Sequence, residues 1–210
     1  MINQIKIVNL KRKKQIKEFF DEDHPVMNKY YDLLDRDLSI MKMRKEMEKL
    51  IQKDPDFYDS YLVVADILKS GRKIKAAREL LYIAYERALK RIVDIKGNFP
   101  EKIEWAWLEN RHLVRAIERW GWELWEQKKT DEALEIFRKL LKSNPNDNIG
   151  ARQNILAIRL GLGPDYETMF TVEDTPGYLS GFKLSEWFAE HCEKFPDEFG
   201  WWFEAMDDKE

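Results

Sequence analysis

Between Thr130 and Pro145 the chain reads TDEALEIFRKLLKSNP, and the period of that stretch leaves little freedom in what it can build. Ala133, Ile136, Phe137, Leu140 and Leu141 recur three and four residues apart, so they share one face of a helix. Thr130 is suited to cap the N-terminus, and Asp131 and Glu132 stand where the helix dipole favours acids. Asn144-Pro145 closes the segment. A second helix precedes it across a tight polar turn, and Gly121 lies in that helix. Glycine there costs about 1 kcal/mol against alanine. Close approach of the following helix would offset that cost.

The same pairing of amphipathic helices runs through most of the chain. Val26 to Lys53 reads as a helical hairpin with Ser39 capping its second helix, and Met41, Met43 and Met47 fill its core. Asp56–Ser70 and Lys73–Lys96 form the next pair, turning at Gly71. Ala76, Ala77, Ala84 and Ala88 make a small-residue stripe that lets helices approach. Pro100 to Lys128 reads as one long helix with a seam of Ile103, Trp107, Asn110, Val114, Ile117, Gly121 and Leu124. Asn110 inside that seam needs partners, and fixing register is the role expected of it. Asn148–Leu160, Leu184–Phe195 and Asp197–Ala205 are further helices, Asp165–Phe170 is a short turn or helix, and Thr171–Gly181 is a loop by its Pro-Gly and polar content.

Gly121, Ala133, Phe137 and Pro145 stand at the glycine, small-residue, aromatic and proline places of a known pattern, and in this they resemble the tetratricopeptide repeat. Ile117, Trp120 and Leu124 replace its Trp, Leu and Tyr. A second copy runs from Tyr58 to about Arg91, with Tyr61, Val64, Ala65, Leu68, Ala77, Leu81 and Ala84 at matching places. A degenerate copy, His24–Phe57, precedes it, with Tyr31 where a small residue is expected. Ala77 and Ala133 play the same role yet lie further apart than one 34-residue period, which implies an insertion of about 22 residues. The insertion is read as prolonging two helices that meet at a Lys96–Phe99 bend, forming a projecting arm.

The resemblance implies an all-α fold of antiparallel helix hairpins stacked in a short solenoid with a C-terminal helical cap. The expected divisions are an N-terminal segment 1–23 that could be helical, with strand, helix start and frayed tail all open for Met1–Leu10, a repeat domain 24–163 carrying the 92–113 insertion, and a capping segment 164–210. It also implies a concave groove, lined by the first helix of each pair, in which a partner peptide or helix binds. Arg111, Arg115, Arg119, Trp122 and Trp125 form a row at helical spacing, and Arg152 and Arg159 follow on the next helix. Guanidinium groups grip carboxylates and indoles stack on apolar groups, so these seven are the expected partner-binding residues, for a protein or peptide that would be acidic. The alternative is that Glu118, Glu123 and Glu126 pair with the arginines and the tryptophans are core. Leu62 and Asp66 replace the Lys and Asn of the family's carboxylate clamp, so that specificity is not expected. The aromatic tail Phe199, Trp201, Trp202 and Phe203 is expected to cap the last apolar face. The acidic end Asp207–Glu210 could instead fold back on Arg115, Arg119, Arg152 and Arg159. Self-association through the tail is the second function considered, and an RNA-binding helical repeat is the third.

The charge balance argues against nucleic acid, since the net charge is −3. The basic run Lys11–Lys14 is read as a solvated turn facing the acidic run Asp21–Asp23. A lone cysteine, Cys192, favours a reducing compartment, and no run is long and apolar enough for secretion or membrane spanning, so a cytoplasmic location is expected. Asp21, Asp23 and His24 lie in a turn without a second ligand cluster nearby, so no metal is expected. No phosphate loop, GxSxG, HExxH or CxxC is present, and no enzyme or cofactor is expected. His112 reads as a satisfied packing residue, and His191 and Cys192 point apart on a helix.

Overall fold

The computed structural model describes residues 5–8, 16–172 and 175–207, which are mostly helical. The chain divides into two compact units, residues 1–120 and 121–210, and the boundary falls inside one helix.

The first unit begins with a small sheet. Strands β1 (Ile5–Val8) and β2 (Ile16–Phe19) pair antiparallel. Helices α1 (Met27–Leu34), α2 (Ile40–Lys53), α3 (Asp59–Ser70) and α4 (Ile74–Ile92) follow as two antiparallel hairpins. Strand β3 (Lys102–Ile103) then lies parallel to β2, with Glu18 opposite Lys102 and Phe19 opposite Ile103. A single 3-10 turn, Leu108–Asn110, leads into α5 (Arg111–Glu126).

The expected spacing builds the core. Val26, Leu33, Met47, Phe57, Val64 and Leu81 are buried together. Ser39 caps α2, its Oγ accepting from the Lys42 N–H at 3.4 Å. Ala77, Ala84 and Ala88 are wholly buried along α4, whereas Ala76 faces solvent. Met47 is core, but Met41 is 85% exposed, so the methionines do not all serve packing.

Of the alternatives open for the N-terminal segment the described residues form strands, and the run Lys11–Lys14 lies outside the described residues. One expectation needs correction. The 92–113 segment does not extend two helices. After α4 the chain turns tightly. The Asp94 carboxylate accepts from the N–H groups of Lys96 and Asn98 at 2.8 and 2.9 Å, and Ile95 at the tip is fully exposed. The chain then forms the short strand β3, turns again at Trp105 and Ala106 and enters the 3-10 turn that ends at Asn110. Asn110 accepts from the Asp21 N–H at 3.0 Å and donates to the carbonyls of Phe19 (3.3 Å) and Glu104 (3.1 Å). The bond to Glu104 satisfies a carbonyl that a continuous helix would have satisfied itself, the other two tie the segment to residues 19–21, and α5 begins at Arg111 and not at Pro100.

The second unit holds the end of α5, α6 (Thr130–Ser143), α7 (Ala151–Arg159), a 3-10 turn (Tyr166–Phe170), the antiparallel pair β4 (Thr171–Val172) and β5 (Thr175–Leu179), α8 (Gly181–His191) and α9 (Pro196–Asp207). Thr130 is the first residue of α6 and makes no capping bond. A Cβ on Gly121 would lie 3.1 Å from Ile136 Cγ2 and from the Phe137 ring, the close approach that its cost implied. Asp147 serves the start of α7, its carboxylate accepting from the N–H groups of Ala151 (2.6 Å) and Arg152 (3.0 Å). The 171–181 stretch is a short strand pair leading into α8, not a plain loop. Pro196 opens α9 at its first position, where a missing N–H costs nothing.

Helix α9 is tied down along its length. Glu198 meets the guanidinium groups of Arg138 and Arg159, Phe199 is buried edge-on to Phe188, and the Trp202 indole N–H donates to the Pro145 carbonyl at 2.8 Å. The aromatic tail thus covers α6 and α7. Asp208–Glu210 lie outside the described residues.

Candidate functional site

The expected partner-binding residues fall in both units and are engaged in different ways. Arg111 donates from Nε to the Trp105 carbonyl at 2.9 Å. Arg115 lies 2.8 Å from the buried Asp59 carboxylate and donates to the Tyr31 hydroxyl. Arg119 pairs with Asp66 at the surface, a contact of little energetic weight. In the second unit Trp122 and Trp125 stack at 5.4 Å and belong to an aromatic cluster with Phe137, Tyr166 and Trp187. Arg152 binds Asp147 at 3.0 Å and lies over the rings of Phe188 and Trp202. Arg159 binds Asp197 at 2.7 Å and also Glu198. The acids that meet Arg152 and Arg159 come from the loop before α7 and from α9.

One patch in the first unit combines charge with exposed apolar surface. The guanidinium carbons of Arg111 and Arg115 lie 5.3 and 5.6 Å from the Trp105 ring centroid. Beside them Trp107 is 47% exposed and Leu108 38% exposed, and Phe20 packs edge-on to Trp107. Among the described residues no carboxylate is paired with Arg111. Burial raises the Asp59 carboxyl to about 6, against the pull of Arg115. Trp107, expected in the apolar seam, is instead exposed, its own backbone extended just before the 3-10 turn.

Behind this patch lies a buried polar cluster. Asp21 Oδ2 faces His24 Nε2 at 3.1 Å and His112 Nε2 at 2.9 Å, and its Oδ1 accepts from Arg91 Nε at 2.5 Å. His24 Nδ1 faces Asp54 Oδ2 at 2.9 Å, and His112 Nδ1 accepts from the backbone N–H of Tyr58 at 3.1 Å. Burial alone would raise the Asp21 carboxyl, but the bonds from His112 and His24 and the Arg91 charge hold it well below the usual range. Burial opposes a charge on His24, yet its bonds to Asp21 and Asp54 raise its pKa. Burial drives His112 down to about 4, despite Asp21.

Asp21, His24 and His112 offer donor atoms within 4.8 Å of one another, a spacing that a divalent cation could bridge. The tautomer of His112 argues against it. A metal on Nε2 of a neutral imidazole needs the proton on Nδ1, and Nδ1 already receives the Tyr58 N–H. The cluster reads as a hydrogen-bond network with every ring nitrogen used. Asp21 and His24 stand close in the sequence, but His112, expected as a packing residue, lies 88 positions beyond His24 and nothing in its local spacing joins it to them. The nearest signal is Asn110, two residues before it and polar inside an apolar seam.

Cys192 and His191 do not form a nucleophile and base. The thiol donates to the Ala189 carbonyl at 3.6 Å, and His191 Nδ1 faces the Trp187 carbonyl at 3.1 Å. No protein-family model, curated protein or solved structure matches the chain. Among the described residues no helix is long and apolar enough to cross a membrane.

Proposed function

We propose that the chain is a helical-hairpin scaffold of the tetratricopeptide type that binds an acidic segment of another protein. The reading rests above all on the first unit's patch: two guanidinium groups on one indole, beside exposed Trp107 and Leu108. Interfaces concentrate binding energy in Trp, Tyr and Arg at such places. Arg111 supplies the charge for a carboxylate, Trp107 and Leu108 take an apolar side chain, and the hairpins α1–α2 and α3–α4 hold the surface ready before binding. The consecutive hairpins and the helix contact at Gly121 favour the repeat reading. This moves the centre of the site from the row ending in Trp122 and Trp125 to the segment 105–115.

The test is titration of acidic peptides that carry a Leu or aromatic residue, with binding read by calorimetry. Wild type should bind more weakly as salt rises, and Trp107→Ala/Arg111→Ala should lose about tenfold or more, in line with truncation of interface anchors. Equal binding by wild type and a folded double variant would place the site elsewhere. Self-association through the aromatic tail draws less support, because Phe199 is buried and Trp202 is bonded to Pro145, which leaves Phe203 as the exposed ring on α9 at 41%. Molar mass with and without residues 197–210 separates the two readings.

A further inference from the structure

We propose that His24 is a buried proton lock: one positive charge held between Asp21 and Asp54 fastens the 21–24 loop to the end of α2, and losing that proton opens the fastening.

The geometry carries this. Both ring nitrogens of His24 face carboxylate oxygens, at 3.1 and 2.9 Å, and a carboxylate oxygen only accepts. Both bonds exist together only when both nitrogens bear protons, which is the imidazolium. A neutral ring keeps one proton, so one carboxylate then faces a lone pair in a site that is almost closed to water. Asp21 has other donors, from His112 and Arg91, whereas the Asp54 carboxylate has the Asp56 N–H at 3.2 Å. The bond to Asp54 is therefore the one that gives way.

The neighbouring groups reinforce a single charge. His112, with its ring centroid 4.6 Å from that of His24, is held neutral because its Nδ1 accepts from Tyr58 and its Nε2–H is given to Asp21. Arg91 from α4 bonds Asp21 and, at 2.5 Å, Glu22, so its own charge is shared between two acids. The charged and titratable groups around His24 are thus Asp21 and Glu22 on its own loop, Asp54 closing α2, Arg91 on α4 and His112 on α5. His24 is raised above its ordinary value, so the lock is closed below about pH 6.5 and opens as pH climbs through the raised value. This inference is independent of any partner.

The deciding experiment is a pH titration of the full chain by nitrogen-detected imidazole NMR, paired with amide hydrogen exchange and with a separate titration using zinc ion alone. His24 should carry protons on both nitrogens at pH 6.5, and His112 should show the neutral Nε2–H form. Protection of the amides of residues 22–24, 26, 54, 56 and 57 should fall about tenfold beyond the ordinary base-catalysed rise as His24 titrates. Asp54→Asn, which removes the second carboxylate but keeps its shape, should lower the His24 midpoint and flatten that step. A neutral His24 at pH 6.5, or protection unchanged through its titration, overturns the lock. So does stoichiometric zinc binding lost in both His24→Ala and His112→Ala, which would make the cluster a metal centre.

Discussion

At the scale of single residues, two positions bear more than their side chains would imply. Asn110 satisfies three backbone groups, two from the distant 19–21 stretch and one from nearby Glu104. Replacing it by alanine leaves those groups without their partner, and each such loss costs about 1–3 kcal/mol where water cannot substitute. Asn110→Ala should therefore lower unfolding free energy by about 2–4 kcal/mol in urea titrations, and a loss under about 0.5 would show that water fills the gap. Gly121 works by having no Cβ. Alanine there gains helix propensity but pushes on Ile136 and on Phe137, whose ring is wholly buried and has nowhere to go. The expected balance is a net loss of about 1 kcal/mol, read from the same denaturation curves. The glycine was legible from its cost in a helix. The Asp21–His24–His112 cluster was not, because its members are brought together by tertiary packing and no local spacing encodes that.

At the scale of elements, the helices were readable because a 3.6-residue apolar period survives in a single sequence, and most of their ends fall within a few residues of expectation. A strand at β1 is one of the readings the sequence leaves open, and β2, β3 and the β4–β5 pair are not read there as strands. A two-residue strand such as Lys102–Ile103 has no period to read, and its existence depends on Glu18 and Phe19, over eighty positions away. Helix α9 illustrates a readable element with an unreadable anchor. Its aromatic tail announced a cap, but the pairing of Glu198 with both Arg138 and Arg159 could be found only in three dimensions. Glu198 is buried while its two arginines are half-buried, so the pairing should be worth more than a surface ion pair and less than a fully buried one. Glu198→Gln should destabilise by about 1–2 kcal/mol, and the loss should shrink at high salt when followed by thermal unfolding.

At the scale of the whole molecule, titrating groups act on stability together, and their signs differ. His112, held down to about 4, makes stability rise with pH between about 4 and 6.5, because over that range the unfolded chain binds the proton and the folded one does not. Asp59, held up to about 6, does the opposite between its ordinary 3.8 and that value, since there the folded chain keeps the proton that the unfolded chain has lost. The two contributions nearly cancel. Below that range Asp21 takes over, its depressed carboxyl withdrawing stability as it is protonated; above it, His24 withdraws stability as it is deprotonated. The melting temperature of wild type should be nearly flat from pH 4 to 6 and fall on both sides. Asp59→Asn should unmask the His112 contribution and turn the flat stretch into a rise. A flat stretch persisting in that variant would mean that Asp59 does not hold its proton in the fold.

The turn after α4 closes on itself. Asp94 accepts from Lys96 and Asn98, and its own N–H reaches the Asn98 carbonyl at 3.0 Å, so the neck is fastened while Ile95 at the tip touches nothing that the fold needs. A loop whose ends are set by its base is indifferent to its contents, and each doubling of its length costs only about 0.6 kcal/mol in closure entropy. The protein thus carries a natural graft point. An epitope, a fluorophore or a tether inserted between Ile95 and Lys96 would ride on a stiff stem, and the helices below it would keep their shape.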